Sequence, residues 1–244
     1  SKCSDFFRII IVLFCFFSTR SFSQVEFVDS NLPIIIITTD KDSNTNVPLE
    51  ITDEPKVLAT MKIIRRPDGN RNYLTDENSP EFLNYNGRIK IELRGSSSME
   101  LPKKSYSLTT VKSDNTSNNN VSILGMPSEN DWILNSLAFD PSLIRDYLSY
   151  DISRKLGNYA SRTQYCEVVL NGDYKGLYIF QEKIKANANR VDVAKIEKID
   201  ISLNNLTGGY ITKADRPDIN EPPTWVMEDT NFVHVLPKHE NATP

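Results

Sequence analysis

Only one place in this sequence concentrates a helix signal. At Asp140-Pro141-Ser142-Leu143, an aspartate can cap free amides, a proline can occupy the first helical position, and apolar residues follow. The helix should run to Leu156 and stop at Gly157. Ile144, Leu148, Ile152 and Leu156 recur every fourth residue with Tyr147 beside them, so the helix is expected to lay one stripe on a sheet. The long segments around it read as β. Pro33 to Thr39 is a compact β-branched run, Lys56 to Arg65 is a second candidate, and Arg88 to Arg94 alternates Ile89, Ile91 and Leu93 against Arg88, Lys90 and Glu92. After the helix, two strands are joined by Asn171-Gly172, a pair suited to the positive φ angles of a tight hairpin. Polar stretches at Asp40–Pro48 and Asp114–Asn120 read as loops. The expected class is therefore α+β, a mostly antiparallel sheet with a packed helix.

The start of the chain follows a different pattern. Lys2 and Arg8 precede a short apolar run, Ile9 to Phe17, which is too short to span a bilayer as a helix and reads as a secretory signal peptide over residues 1–23. Ser21-Phe22-Ser23 supplies the small residues of a cleavage site before Gln24. Export to the cell surface or beyond follows, with no membrane segment in the mature form. The net charge of -4 includes the basic excess of that segment, so the remainder is more acidic still and carries no broad field for nucleic-acid phosphates. Cys3 and Cys15 would leave with the signal peptide, and Cys166 sits in an alternating run, Thr163 to Leu170, where a buried structural thiol is expected. His234 and His239 lack the converging ligands that a zinc site needs, and no metal ligands are assigned.

The order strand, Gly/Ser loop, strand with a lysine, helix, strand, strand matches the order in which a kinase small lobe presents its phosphate-binding parts. Within it, Arg94-Gly95-Ser96-Ser97-Ser98 combines a glycine that lets the backbone turn with hydroxyls and amides that can donate to phosphate oxygens. Pro102-Lys103-Lys104-Ser105-Tyr106-Ser107-Leu108 then begins a strand in which Lys104, Tyr106 and Leu108 share a face. A lysine leaning towards a core is costly unless an anion meets it. The alternative is that Lys104 snorkels at the sheet edge.

These runs resemble the CotH kinases, secreted or spore-coat-associated proteins with an atypical protein-kinase-like fold. Arg94 to Ser98 and Pro102 to Tyr106 match the family's core run. Leu124 to Trp132 matches its Leu-Gly-Met-Pro-x-Glu-Asn-Asp-Trp segment, and Leu143-Ile144-Arg145-Asp146 its helix. Leu170 to Tyr178, Glu182-Lys183-Ile184, Asn189-Arg190-Val191 and Gly208-Gly209-Tyr210 follow in order. The resemblance extends over residues 32–240.

The resemblance implies the small lobe and hinge of an atypical protein kinase, with a kinase-like N-terminal lobe over 24–182 and a hinge plus the start of a C-terminal lobe over 183–244. It implies ATP and Mg²⁺ as cofactors, and transfer of the γ-phosphoryl group to serine or threonine of a secreted or coat protein. Lys104 would bind phosphate, Gly95 to Ser98 would cover the phosphates with Arg94, and Glu182 would stand at the adenine-side hinge. Arg145 would orient a phosphate or hold an ion-pair network, or else is an exposed surface guanidinium. Asp146, Asp151 and Glu167 are the alternatives for a carboxylate partner of Lys104. The family's Asn-x-Asp and Trp-Asp-Phe-Asp-like segments, which look like the sources of the catalytic base and the metal-binding aspartate, do not occur here. Asp215 and Asp218 read as turn caps. The expectation is therefore a fragment that does not turn over ATP alone, or, alternatively, a secreted binding module on a kinase-like scaffold. A hydrolase has no motif to support it.

Overall fold

The computed structural model describes residues 26–200, 202–215 and 225–237. The proposed signal peptide with Cys3 and Cys15, as well as Asp218 and His239, lies outside the described residues. The strands are β1 (Asp29–Ser30), β2 (Ile34–Thr39), β3 (Val57–Ile64), β4 (Asn72–Tyr73), β5 (Leu83–Arg94), β6 (Ser105–Val111), β7 (Val121–Ile123), β8 (Met126–Glu129) and β9 (Asp131–Asn135). Helix α1 (Arg145–Lys155) comes next, then β10 (Thr163–Leu170), β11 (Asp173–Glu182), β12 (Ile211–Ala214), β13 (Trp225–Met227) and β14 (Thr230–Leu236).

Seven of these strands close on themselves in the order β10-β11-β9-β6-β5-β3-β2. All the pairings are antiparallel except the closing one, where β2 runs parallel to β10 with Ile34 opposite Glu167 and Ile37 opposite Leu170. The turn at Asn171 and Gly172, with φ of 52° and 82°, makes the predicted hairpin between β10 and β11. It also contributes to the closure, since Asn171 Oδ1 accepts the Thr39 amide at 2.9 Å. Period-two alternation does the rest. Ile35, Ile37, Met61, Ile89, Ile91, Leu108, Trp132, Leu134, Cys166 and Phe180 fill one core inside the barrel. Cys166 is buried as expected, and burial pushes its thiol well above the usual range. β12, β13 and β14 form a separate three-stranded sheet.

This architecture corrects the expected α+β class: the protein is mostly β, a closed barrel, and the helix does not pack through its apolar stripe. No residue of α1 is buried. Ile144, Leu148 and Ile152 are about half exposed and Leu156 more so. The reason is topological. The barrel's main apolar face fills its own interior, and its outer apolar patch, Ile34, Ile64 and Val169, is covered by Phe27, Leu74, Phe82 and Leu83 and not by the helix. α1 instead rests on the outside through its other face, where Tyr147 stacks on Tyr165 at 5.0 Å and Arg154 Nη1 donates to the Ser161 carbonyl at 2.5 Å. Its start also moves: Asp140 precedes the first helical residue by a full turn, and the segment between them is a separate loop.

Candidate functional site

The β5–β6 connection is built around one glycine. Gly95 has φ +130°, a conformation that other residues adopt only under strain, and a Cβ there would lie 1.9 Å from Ser98 Oγ, so any other residue must also displace that hydroxyl. Ser96 then leads into a 3₁₀ turn, Ser97–Glu100. Its carbonyl accepts the Met99 amide at 3.1 Å. Lys104 Nζ donates to the Met99 carbonyl, which ties the turn to the start of β6.

The β9–α1 connection faces this turn. Ser136 donates its amide to Ser105 Oγ at 3.0 Å, and the two hydroxyls are 2.9 Å apart and buried, which joins β9 to β6 at this end. Asn135 Oδ1 accepts the Leu137 amide at 3.0 Å while its Nδ2 donates to Asp146 at 2.8 Å. Asp140 organises the remainder. Its carboxylate accepts the Ser142 amide and hydroxyl and the amides of Ile144 and Arg145, at 2.6 to 3.0 Å. The Ser142 hydroxyl above all, helped by those amides and the charge of Arg145, outweighs desolvation and holds the Asp140 carboxyl down at about 2. The predicted cap is therefore real but acts on the helix across an intervening turn.

Between the two connections lies a cleft of about 400 Å³ walled by Arg94, Ser97 and Ser98 on one side and by Asn135, Ser136, Phe139, Asp140, Arg145 and Asp146 on the other. Arg94 is exposed, and its side chain makes no hydrogen bond or ion pair among the described residues. The Arg145 side chain is 73% exposed and meets Asp140 only at 3.6 Å. Two guanidinium groups and two serine hydroxyls therefore converge on one concave surface. Asp140 and Asp146 line the same surface, so its charged side chains balance. With the Asp140 oxygens held by the loop amides and Asp146 accepting from Asn135, the guanidiniums and hydroxyls are the donors left to meet an oxyanion.

The other predicted residues sit elsewhere. Lys104 shares the inward face with Tyr106, as the period required, but lines a second cavity of about 270 Å³ at the barrel mouth with Glu50, Ile51, Leu93 and Leu170. None of its three candidate carboxylate partners pairs with it. Asp146 accepts from Asn135, Asp151 pairs with Lys155 at 2.8 Å, and Glu167 accepts the Tyr174 hydroxyl at 2.8 Å. Glu182 is fully buried at the opposite end of the barrel. There it accepts from Arg190 Nη1 and Arg162 Nη1, each at 2.8 Å, and from the Arg162 amide at 3.0 Å. Arg190 is equally buried and lies over the Trp132 ring, 4.8 Å from its centroid. Beside it, Lys185 Nζ donates to Asp131 at 2.7 Å and to Glu129 at 3.1 Å. Burial works against both carboxylates, but Lys185 and neighbouring donors outweigh it and lower both their pKa values.

Of the two carboxylates in the cleft, Asp140 has both oxygens committed to the loop, whereas Asp146 accepts from Asn135 through one. Asp146 is therefore the cleft side chain that would hold a magnesium ion, which kinase chemistry uses, and among the described residues no group of three metal-ligating side chains gathers. Sequence reasoning missed Asn135, Ser136 and Phe139 as cleft residues, and took Asp140 for a helix cap alone. Arg190, Glu129 and Asp131 stood inside recognised motifs without a role.

The profile of the CotH kinase protein family matches residues 91–241, a span that takes in both connections of the cleft and the buried charge clusters. The chain belongs to the CotH kinase family. No individual curated protein matches it. Family membership carries a kinase function in general, with the ATP, metal and protein substrate that such a function implies. The family's motifs divide between two places in the barrel: the Arg-Gly-Ser-Ser-Ser run and the Leu-Ile-Arg-Asp segment border the cleft, whereas the Glu-Asn-Asp-Trp, Glu-Lys-Ile and Asn-Arg-Val segments meet in the buried ion clusters.

Proposed function

We propose that the cleft between the β5–β6 turn and the β9–α1 loop receives the phosphate groups of ATP. In this reading the chain supplies the phosphate-binding part of a kinase that transfers the γ-phosphoryl group to serine or threonine of an exported protein. The observation that carries the proposal is the meeting of Arg94, Ser97, Ser98 and Arg145, from two separate stretches of sequence, on the walls of one cavity. Phosphoryl transfer asks a protein mainly for positioning and for positive charge around the transferred group, and the two guanidiniums and the hydroxyls offer both. Lys104 contributes indirectly, by bracing the turn through Met99.

Two further parts of the reading belong here. Residues 1–23 direct export, supported by the basic start and the apolar run after it. The kinase-like N-terminal lobe ends near residue 182, supported by the end of the last barrel strand at Glu182 and by the separate sheet of β12, β13 and β14. That Asp146 alone offers the cleft a carboxylate not taken up by the loop favours a second reading, a binding module on a kinase scaffold.

Calorimetric titration with ATP and with inorganic triphosphate separates the outcomes. Arg94→Ala and Arg145→Ala should each weaken both ligands about tenfold, the worth of a charge-assisted contact. Binding that ignores both substitutions, or no binding at all, overturns the phosphate assignment. Incubating the full-length gene product with ATP, Mg²⁺ and secreted proteins then distinguishes kinase from module by phosphate on serine or threonine.

A further inference from the structure

The first residues of β5 form an open edge in an otherwise closed barrel. β5 pairs with β3 from Leu83 to Ile91, but with β6 only from Arg88 onward, so residues 83–87 have a neighbouring strand on one side alone. The direction of the open side follows from β6. Thr110 donates its amide to the Asn130 carbonyl at 2.8 Å and accepts the Asn119 amide at 2.9 Å, which turns its main chain away from β5. Its neighbour Val111, opposite Arg88, therefore faces β5. Two residues before Arg88, Asn86 presents its amide and carbonyl in that same direction, and among the described residues no main-chain hydrogen bond meets them. Across from this edge runs β7, which pairs with β8 alone. A cavity of about 500 Å³ separates the two, with Tyr85 and Asn86 on one wall and Asn119, Val121 and Ser122 on the other. Asn84 acts as the spacer at one end, where its Oδ1 accepts the Leu124 amide at 2.8 Å and takes the place of a direct strand pairing.

We infer that this slot is a docking site for an extended, uncharged stretch of a partner polypeptide, which adds to β5 as a strand. Exposed edges are ordinarily guarded by charged side chains or covered by another element, yet no charged side chain lines this cavity. What lines it is the chemistry of a peptide: carboxamides, a hydroxyl and the free main-chain groups of a strand. Strand addition draws its affinity from main-chain hydrogen bonds and its selectivity from the side-chain pockets beside them, and charged flanks would lose their hydration here without gaining a partner. The site is independent of the phosphate reading. It lies roughly 30 Å along β5 from Arg94, at about 3.3 Å per residue, so a polypeptide held there leaves the cleft open. In a family whose kinase function implies a protein substrate, the slot holds polypeptide at a distance from the cleft.

The probe is a fluorescent, end-capped peptide with the β6 sequence, Ser105–Val111, which carries no charge and already pairs with β5 in the barrel. It is titrated by fluorescence anisotropy against the full chain, beside the same peptide N-methylated at every amide, which cannot donate. Asn86→Pro removes the central amide of the open edge, a substitution that edge strands tolerate, and Asn86→Trp keeps the amide but fills the slot. The expected result is saturable binding that falls about tenfold or more on methylation and in each variant, with ATP affinity unchanged. Melting temperatures check the fold, and should Asn86→Pro fail to fold, Asn86→Trp and the methylated peptide decide. No saturable binding, equal binding of the methylated peptide, or binding that ignores both substitutions overturns the inference. Maltotetraose is titrated in parallel: if it binds, is displaced by Asn86→Trp, and the peptide does not bind, the slot is a sugar site and the polypeptide assignment falls.

Discussion

At the Asp131–Glu182 end of the barrel, Arg162 and Arg190 converge on Glu182 and Lys185 bridges Asp131 and Glu129. At the Arg94–Asn135 end, Arg94 has no partner among the described residues and Arg145 only a loose one. The same side-chain types serve opposite ends. Buried opposite charges must be paired, because each unpaired one costs several kcal/mol, so the first end is spent on holding the fold. Solvated cations bear no such cost and stay available to a ligand. Motifs of the family occur at both ends, so a motif match by itself does not separate charges paired to hold the fold from charges left to solvent.

The contrast breaks most sharply at Glu182. Glu182→Ala strands the buried guanidinium of Arg190 and should cost about 3–5 kcal/mol, read as a fall in the urea midpoint. A loss under 1 kcal/mol would mean that the cluster is not structural. Next in size is Gly95→Ala, where the side chain must displace Ser98 in a backbone conformation that alanine resists. Roughly 1–3 kcal/mol of strain is expected, together with a larger loss of ATP affinity than of stability, since the turn forms one wall of the cleft.

Acid titration sharpens the comparison further. Asp131 and Glu129 have folded pKa values below their ordinary ones, so their contribution to stability is present above about pH 4 and is lost as the pH falls through the lowered values. Lys185→Met removes the cation responsible for much of that shift. The variant should lose stability at pH 7 and show a flatter decline between pH 5 and 2, measured by thermal melts across that range. A parallel decline in both proteins would detach Lys185 from the acid response. Smallest of all should be Arg94→Ala: within about 0.5 kcal/mol of wild type in stability, yet weaker for ATP. A large fold defect there would erase the distinction between the two ends.

Several strands were legible in the sequence, though not their closure into a barrel, because period-two alternation reports which face is buried whatever the sheet packs against. Ile89 and Ile91 are both fully buried, and Cys166 lies where its run placed it. The hairpin at Asn171-Gly172 was equally legible, since the backbone conformation is a property of those two residues. The helix stripe misled because periodicity reports an apolar face without saying what, if anything, meets it. Glu182 misled for a related reason: a carboxylate at the end of a strand looks the same in sequence whether it faces a ligand or a buried arginine.

Local chemistry, then, determined the strands, their turns and the serine-rich connection that a glycine opens, because those follow from the φ, ψ and side-chain preferences of neighbouring residues. The tertiary structure decided the rest. It closed the sheet through a parallel pairing of β2 with β10, turned α1 outward, sent Lys104 to the barrel mouth, and set Arg94 across a cleft from Arg145. Each of these depends on contacts between residues far apart in the chain, and a closed barrel fixes them together because no strand can shift without reopening the ring.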